Sequence, residues 1–373
     1  MNSDGGGTAR GRQSESWWLF HGTGKPADVA ALHARWPPAP PWREFNGGPE
    51  APAPPDDAAE TRRRLGVIPA GLFTADQISV INSAIYLRRP LLVTGGPGSG
   101  KSSLAYMISA ELGLGRVLRW PVTSRTTLRS GLYEYDAMGR AQATLQVRSA
   151  DPPIRRHTRA LREDGADTGR ARPGGSAAPP VGDFIQLAPL GTALLPRPLP
   201  RVLLVDEMDK SDFDLPNDLL NIIEDGEFDI PELTRIREAQ SEVAVNTADR
   251  GRTAKIRNGV VRCRAFPIIV ITSNGEREFP PAFLRRCVRM EMPSPSAENL
   301  AALVAAHFPR GSAEHHEILE NFVARRASGA LLAADQLLNA VHLTAVGALP
   351  ADDRARGELL DAIWRRLDPD AGF

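Results

Sequence analysis

A glycine-rich turn between an apolar run and a helical segment is the feature that most constrains the fold. The stretch LLVTGGPGSGKSS, residues 91–103, matches the pattern G-x-x-x-x-G-K-[ST]. Glycines have no Cβ, so the backbone can curl with its N–H groups turned inward, and the following helix adds its positive end. This cradle suits phosphate groups. Because it needs a strand before it and a helix after it, the sequence predicts an α/β fold.

The residues of this phosphate loop, residues 95–103, have separate predicted roles. Lys101 is expected to reach the β and γ phosphates of a nucleotide, and the Ser102 hydroxyl is expected to ligate Mg²⁺. The other predicted nucleotide contacts are Gly95, Gly96, Pro97, Gly98, Ser99, Gly100 and Ser103.

A second apolar stretch, RVLLVDE at residues 201–207, ends in two carboxylates. Its four consecutive apolar residues predict a buried strand, expected to lie beside the phosphate-loop strand. Asp206 is then expected to hold Mg²⁺ through water. Glu207 is expected to polarise the attacking water as a general base.

Composition narrows the class of protein. The 373 residues carry 45 Lys+Arg and 45 Asp+Glu, so a zero formal charge gives no general attraction to nucleic acid or anionic membrane. The two cysteines, Cys263 and Cys287, argue against a disulfide framework and fit a reducing cytoplasm. No apolar run approaches the ~20 residues of a membrane helix. The start, MNSDGGGTAR, lacks the apolar centre of a signal peptide. We therefore expect a soluble cytoplasmic protein.

Residues 1–65 combine dense proline and glycine with many aromatic residues. Proline and glycine at this density disfavour helix and sheet, whereas a plain linker would have fewer aromatics. We predict an extended, partly disordered arm that packs its aromatics on the rest of the domain or on a neighbouring subunit. A disordered tail is the alternative. The aromatics are Trp17, Trp18, Phe20, Trp36, Trp42 and Phe45.

The remaining chain divides into a core at 66–293 and a helical region at 294–373, separated by the prolines near residue 294. Residues 73–87 predict an amphipathic helix with Thr74 as its N-cap. A loop of low order is expected at about 145–182. A β-excursion is expected at about 229–264, with a polar tip near 246–255. A further buried strand is expected at 265–272, and the predicted C-terminal helices are 297–307, 315–326, 331–346 and 353–367.

The order of these motifs resembles AAA+ ATPases, and within them the MoxR group. The resemblance covers about residues 66–345 and is carried by LLVTGGPGSGKS, APLGTALL, VLLVDEMDKSDFDLPNDLLNIIEDGEF and ITSNGEREFPPAFLRRC. It implies a P-loop domain with a parallel sheet flanked by helices, followed by a C-terminal all-helical lid. It also implies a homo-oligomeric ring, expected to be hexameric, that binds ATP and Mg²⁺. Hydrolysis of ATP would remodel or activate a partner protein.

The resemblance also implies roles for single residues. Asn274 falls where the family keeps sensor 1, a polar side chain that orients the attacking water. Arg286 falls at the arginine finger, which reaches the γ-phosphate bound by the adjacent subunit, and Arg285 is the second candidate. Residues 126–135 fall at a pore-facing loop. Their Leu132, Tyr133 and Tyr135 are either partner contacts or core residues.

The chain departs from the family pattern at one expected site residue, and three alternative functions are considered. The expected sensor 2 arginine is missing near residues 327–332, where either Arg325 or Arg326 is a substitute. A nucleic-acid-dependent AAA+ motor of a restriction or defence system is the first alternative, opposed by the zero net charge and the absence of a basic stripe. An ATP-gated scaffold is opposed by Glu207 and Asn274. A small-molecule kinase leaves the arginine pair and the lid unexplained.

Overall fold

The computed structural model describes residues 16–24, 26, 28–65, 73–150, 179–308, 311, 313–328, 330, 332–350 and 352–364. The first 15 residues of the predicted arm and most of the predicted low-order loop, 151–178, lie outside these residues. Among the helices of the described part, none is long and apolar enough to cross a membrane.

Among the described residues, three helices precede the first strand, helices and strands then alternate as far as β7, and helices alone follow the last strand. The strands are β1 (Leu91–Thr94), β2 (Leu118–Pro121), β3 (Tyr133–Tyr135), β4 (Ile185–Leu187), β5 (Val202–Asp206), β6 (Glu227–Asp229), β7 (Glu242–Asn246), β8 (Thr253–Arg257), β9 (Val260–Arg262), β10 (Ile268–Ser273) and β11 (Val288–Glu291). The helices are α1 (Val29–Ala34), α2 (Ala58–Leu65), α3 (Ala75–Leu87), α4 (Lys101–Leu112), α5 (Leu128–Leu132), α6 (Ala137–Ala150), α7 (Pro189–Ala193), α8 (Asp214–Asp225), α9 (Pro231–Thr234), α10 (Pro281–Leu284), α11 (Ala297–His307), α12 (Ala313–Ala327), α13 (Ala334–Ala345) and α14 (Asp353–Ile363).

A five-stranded parallel sheet in the order β11-β1-β10-β5-β2 forms the centre of the fold. Its three inner strands, β1, β10 and β5, are buried on both faces, as apolar runs in parallel sheets are. Leu91 and Val93 pack with α4 in one hydrophobic core, whereas Leu92 belongs to the core on the opposite face. This confirms the predicted α/β class with a parallel sheet flanked by helices.

The prediction that the acidic strand lies beside the phosphate-loop strand is wrong. β10 pairs with β1 on one side and with β5 on the other, so it separates them. All six residues of β10 are buried, which suits a central position, whereas alternate residues of β2 are exposed, which suits the edge of the sheet. Strand position in a parallel sheet follows from burial rather than from closeness in sequence.

A second, six-stranded sheet has the order β3-β4-β7-β8-β9-β6. Its hairpin β7–β8 turns at residues 247–252, inside the predicted polar tip. The expectation of a loop from residue 145 is wrong at its start, because α6 continues to Ala150. Alanine, glutamine, leucine and arginine dominate the end of α6, and their helix propensity explains the extension.

The C-terminal helices α11–α14 pack around a hydrophobic core of their own, as the predicted all-helical lid requires. Leu300, Phe322, Leu337 and Trp364 are among its buried members. Trp364 donates from its indole Nε1 to the carbonyl of Gln336 at 3.2 Å, which ties α14 to α13.

The N-terminal arm, residues 16–65, is not wholly extended. Two short helices, α1 and α2, form where prolines are absent from the sequence, and Asp28 caps α1 by accepting from the N–H of Ala31. Phe20 is fully buried against the core around α3 and α4, whereas Trp42 is 72% exposed. α3 begins after Thr74, whose hydroxyl accepts from Gln77 in a capping box, as the sequence predicts.

Candidate functional site

The carboxyl edge of the parallel sheet gathers the main predicted site residues. β1 leads directly into the phosphate loop, β5 ends at Asp206, and β10 ends at Ser273. Because the three strands are parallel neighbours, these ends lie along one edge. Ligands of open α/β sheets bind in the crevice outside this edge.

The phosphate loop has the backbone that its glycines predict. Gly98 and Gly100 have φ values of 71° and 86°, a region that side chains rarely adopt. A Cβ on Gly98 would lie 2.7 Å from the Cα of Ala333, beside the start of α13. The loop therefore touches the lid, and Gly98 is the residue that permits this approach.

Two polar side chains of the loop fit an anion. Lys101 Nζ donates to the carbonyl oxygens of Gly95 and Gly96, both at 2.7 Å. Burial lowers the pKa of Lys101, against the opposing attraction of nearby carboxylates. Ser99 Oγ is buried and has no hydrogen-bond partner among the described residues. A phosphate group would compensate the lysine and satisfy the serine hydroxyl, so the loop fits the predicted ligand.

Asp206 accepts hydrogen bonds at both carboxylate oxygens. Its Oδ1 accepts from Ser102 Oγ at 2.6 Å and from Thr272 Oγ1 at 2.9 Å. Its Oδ2 accepts from Arg119 Nε at 3.1 Å and Nη2 at 2.8 Å. Burial disfavours the charge, but these bonds outweigh it and hold the pKa of Asp206 below its usual value. Asp206 and Ser102 thus present adjacent hard oxygen atoms, which Mg²⁺ prefers.

Glu207 has a strained backbone, with a φ of 62° in the left-handed region. Its N–H donates to Thr272 Oγ1 at 2.9 Å, a bond that helps to hold this conformation. The turn leaves the carboxylate 47% exposed, where Lys210 Nζ donates to it at 2.8 Å. Strain that the surroundings maintain at a strand end is typical of functional residues.

Asn274 lies immediately after β10, at the same edge of the sheet. Its N–H donates to Oδ2 of the buried Asp209 at 2.8 Å, and its side-chain amide donates to Glu276 Oε1 at 3.5 Å. The backbone of Asn274 is therefore anchored, while its side chain stays in the exposed turn.

Arg286 lies at the opposite edge of the sheet from the phosphate loop. It precedes β11, where Val288 is level with Leu91, the first residue of β1. Its guanidinium pairs with Glu224 and donates to the carbonyl of Ala282 at 3.3 Å. At about 3.3 Å per strand residue, Arg286 is roughly 20 Å from the phosphate loop of its own chain.

Arg285 is exposed beside Arg286, and the structure does not bring its side chain to the site. Its carbonyl oxygen accepts from Arg89 Nη1 at 3.2 Å. Both finger candidates are therefore remote from the nucleotide edge of the same chain.

Beside the contact at Gly98, a cavity of about 430 Å³ lies between the phosphate loop and the lid. Gly96 and Pro97 line it on one side and Arg326 on the other, and Arg326 Nη1 donates to the carbonyl of Pro295 at 2.8 Å. Arg325 instead pairs with Asp361 and stacks over Trp364. Only the second of the two neighbouring arginines faces the candidate site.

Two of the three residues singled out in the predicted pore-facing segment, residues 126–135, are core residues. Leu132 and Tyr133 are 7% and 4% exposed. Tyr133 stacks on Phe228 and donates its hydroxyl to Glu232 Oε2 at 2.9 Å. Burial, and then this contact, raise the pKa of Tyr133 to about 12. Of the three residues, Tyr135 alone is half-buried rather than buried.

The sequence reasoning missed two residues of the site, Arg119 and Thr272. Thr272 bridges Asp206 and the N–H of Glu207 through one hydroxyl. A polar residue at the end of an otherwise apolar strand was the available signal for Thr272, and a charge inside the short strand β2 was the signal for Arg119.

No family model matches the sequence, and no curated protein sequence is significantly similar to it. Among solved structures, the crystal structure of NtrX from Brucella abortus in complex with ADP aligns with 12% identity and a TM-score of 0.33. The alignment covers 70% of this chain and 49% of the NtrX chain, so this chain spans about half of the NtrX length. The structure of C. elegans PCH-2 aligns with 14% identity and a TM-score of 0.37, covering 82% of this chain and 70% of that chain. These values describe a distant likeness.

Proposed function

We propose that this chain is an AAA+ ATPase similar to the MoxR group, which hydrolyses ATP to remodel or activate a partner protein. The observation that supports it most is the gathering of four residues at one edge of the sheet. Lys101 and Ser102 come from the phosphate loop, while Asp206 and Glu207 come from a strand two positions away in the sheet. A glycine-rich turn and a buried strand that bind no nucleotide would not need this combination of side chains.

The chain's own groups account for nucleotide binding. Lys101, Ser99 and the N–H groups at the start of α4 bind the phosphates. Ser102 and Asp206 would hold Mg²⁺ through their oxygen atoms. Mg²⁺, when bound, neutralises charge on the β and γ phosphates. The cavity between Pro97 and the lid accepts the nucleoside, which needs a largely apolar recess.

Hydrolysis requires a base beside the phosphate loop, and Glu207 supplies it. The Glu207 carboxylate takes a proton from the attacking water, whose oxygen bonds to the γ-phosphorus as ADP leaves. Lys210 has to release Glu207 first, and an exposed ion pair costs little to open. Asn274 is assigned the role of orienting the same water, and its fixed backbone at the end of β10 supports this assignment.

The position of Arg286 supports the proposed oligomer. An arginine finger at the far edge of the sheet cannot serve the phosphate loop of its own chain, so it would act on a neighbour. A closed ring, proposed to be a hexamer, gives every site such a neighbour. Arg326 fits the sensor 2 role within each subunit, since it lines the cavity beside Pro97.

Each cycle would change contacts between subunits and between core and lid, and so drive the partner protein. The zero formal charge favours a protein partner over nucleic acid. Cys263 and Cys287 are buried free thiols whose pKa values burial raises to about 12, which is compatible with the reducing cytoplasm proposed as its location.

The test is a comparison of Glu207→Gln with the unaltered chain. Glutamine keeps the shape but cannot take the proton, so hydrolysis should fall by about 10²-fold or more while ATP still binds. Phosphate release measures the rate, and gel filtration with ATP should show a trapped oligomer. Glu278→Gln, at an exposed carboxylate in the turn after β10, is the control. Equal rates for Glu207→Gln and the unaltered chain would exclude Glu207 as the base.

A further inference from the structure

Arg119 is a charged residue in a strand whose neighbouring side chains enter the core. Leu118 and Trp120 of β2 are buried, and Arg119 lies on the opposite face of this edge strand. β2 pairs with β5 so that Pro121 is level with Asp206. The Arg119 side chain therefore runs along the sheet toward the carboxyl edge, where its guanidinium reaches Asp206.

The Asp206 carboxylate has its acceptor positions filled. A carboxylate offers about four lone-pair positions. Ser102 and Thr272 use Oδ1, and the two nitrogens of Arg119 use Oδ2. If Asp206 is to hold Mg²⁺ or its hydration shell, one of these donors would have to leave the carboxylate.

The three donors differ in how readily they leave. Thr272 is 1% exposed, and its hydroxyl also accepts the N–H of Glu207. Ser102 is fixed in the first turn of α4, and its oxygen is itself the expected metal ligand. The Arg119 side chain is 43% exposed, so water can solvate its guanidinium after release.

We propose that Arg119 is a displaceable partner of Asp206, which leaves the carboxylate when Mg²⁺ binds with the nucleotide. This inference rests on the proposed function. The guanidinium and the metal compete for one carboxylate and repel each other, so each disfavours the other. Arg119 is thus a positioning residue: it holds Asp206 oriented in the absence of metal and reduces the degree to which Mg²⁺ tightens nucleotide binding.

The test measures the coupling between metal and nucleotide in the full chain. A fluorescent, non-hydrolysable ATP analogue is titrated once with excess chelator and once with saturating Mg²⁺. The Kd with chelator divided by the Kd with Mg²⁺ is the coupling factor. Arg119→Ala should raise this ratio by roughly fivefold, the effect of removing an exposed ion pair. Arg119→Lys, which keeps the charge but loses the two-nitrogen contact, should fall between Arg119→Ala and the unaltered chain.

The control is Arg125→Ala, which removes an exposed arginine from the loop after β2 and should leave the ratio unchanged. With chelator, Arg119→Ala should bind the analogue like the unaltered chain. A ratio that is unchanged or lowered in Arg119→Ala overturns the inference but leaves the proposed function intact, provided that analogue binding still requires Lys101. If the unaltered chain binds no analogue, both fail. Should thermal unfolding show that Arg119→Ala is misfolded, Arg119→Gln is judged by the same ratio.

Discussion

The two ends of α4 hold buried polar side chains in opposite ways. At its first residue, Lys101 donates to two carbonyls of a glycine loop. In its last turn, Glu111 is 1% exposed and accepts three backbone N–H groups of the arm, from His21, Thr23 and Gly24, at 2.6, 3.0 and 3.3 Å. One helix thus carries the candidate site at one end and anchors the arm at the other.

Asn82 on α3, like Glu111, is a buried polar side chain that bonds to backbone groups of the arm. Its Oδ1 accepts the N–H groups of Leu19 and Phe20 at 2.8 and 3.0 Å, and its Nδ2 donates to the carbonyls of Phe20 and Ile78. An amide side chain has two acceptor and two donor positions, and backbone groups satisfy all of them here. The arm is therefore part of the folded core at this point.

The difference lies in which partners can be exchanged. Glu111 and Asn82 are hydrogen-bonded to backbone groups, most of them in the arm, and packing holds those groups in place. Asp206, in contrast, is satisfied by side chains, one of which is substantially exposed, and the buried Ser99 hydroxyl has no partner among the described residues. A buried polar group with backbone partners stabilises the fold, whereas one with exchangeable partners is prepared for a ligand.

Lys101→Ala tests the start of α4, beside the phosphate loop, and should give the largest effect on nucleotide binding. The phosphates lose a buried cation and its charge-assisted hydrogen bonds, so the Kd of a fluorescent ATP analogue with Mg²⁺ should rise by at least about 10²-fold. Lys255→Ala, on the exposed face of β8, is the matched control and should bind normally. An unchanged Kd for Lys101→Ala would exclude the phosphate loop as the nucleotide site.

Arg286→Ala tests whether the site is also open to a neighbouring chain. A finger supplied in trans stabilises charge on the transferred phosphoryl group, with effects on the order of 10³ in rate. Arg286→Ala should therefore bind the ATP analogue nearly normally and hydrolyse ATP poorly. Arg285→Ala, at the adjacent exposed arginine, should retain most of the activity. The reverse result would make Arg285 the finger.

Mixing Arg286→Ala with Glu207→Gln subunits separates a finger from a surface ion pair with Glu224. In a mixed ring, some interfaces combine an intact Glu207 with an intact Arg286, so the mixture should regain activity that neither variant has alone. If hetero-oligomers form and no activity returns, the trans role of Arg286 is wrong.

The candidate site residues at the start of α4 could be proposed from the sequence because they are encoded locally. Gly100, Lys101 and Ser102 are consecutive, and Asp206 and Glu207 end one apolar run, so pattern alone identified them as candidates. Thr74 was likewise recognised as a cap from the residues that follow it.

The contacts of Glu111 at the other end of α4 could not be predicted, because they join residues distant in sequence. Glu111 is one polar residue near the end of a helix, and nothing around it names the arm as its partner. Arg119 was missed for the same reason, since its contact with Asp206 depends on the pairing of β2 with β5. The place of β10 between β1 and β5 was also a tertiary outcome, decided by burial on both faces.

Glu111→Gln tests the contact of α4 with the arm and should give the smallest effect on nucleotide binding. Glutamine keeps one acceptor oxygen but turns an NH₂ group toward arm N–H donors, which leaves buried donors unpaired. The free energy of unfolding should fall by roughly 3 kcal/mol, measured by urea denaturation. Glu238→Gln, at an exposed carboxylate in the turn before β7, should change it little. Because the arm contact is structural, the Kd for the ATP analogue should stay the same. A large rise in that Kd without a loss of stability would show that the two ends of α4 are coupled, and the distinction between them would fail.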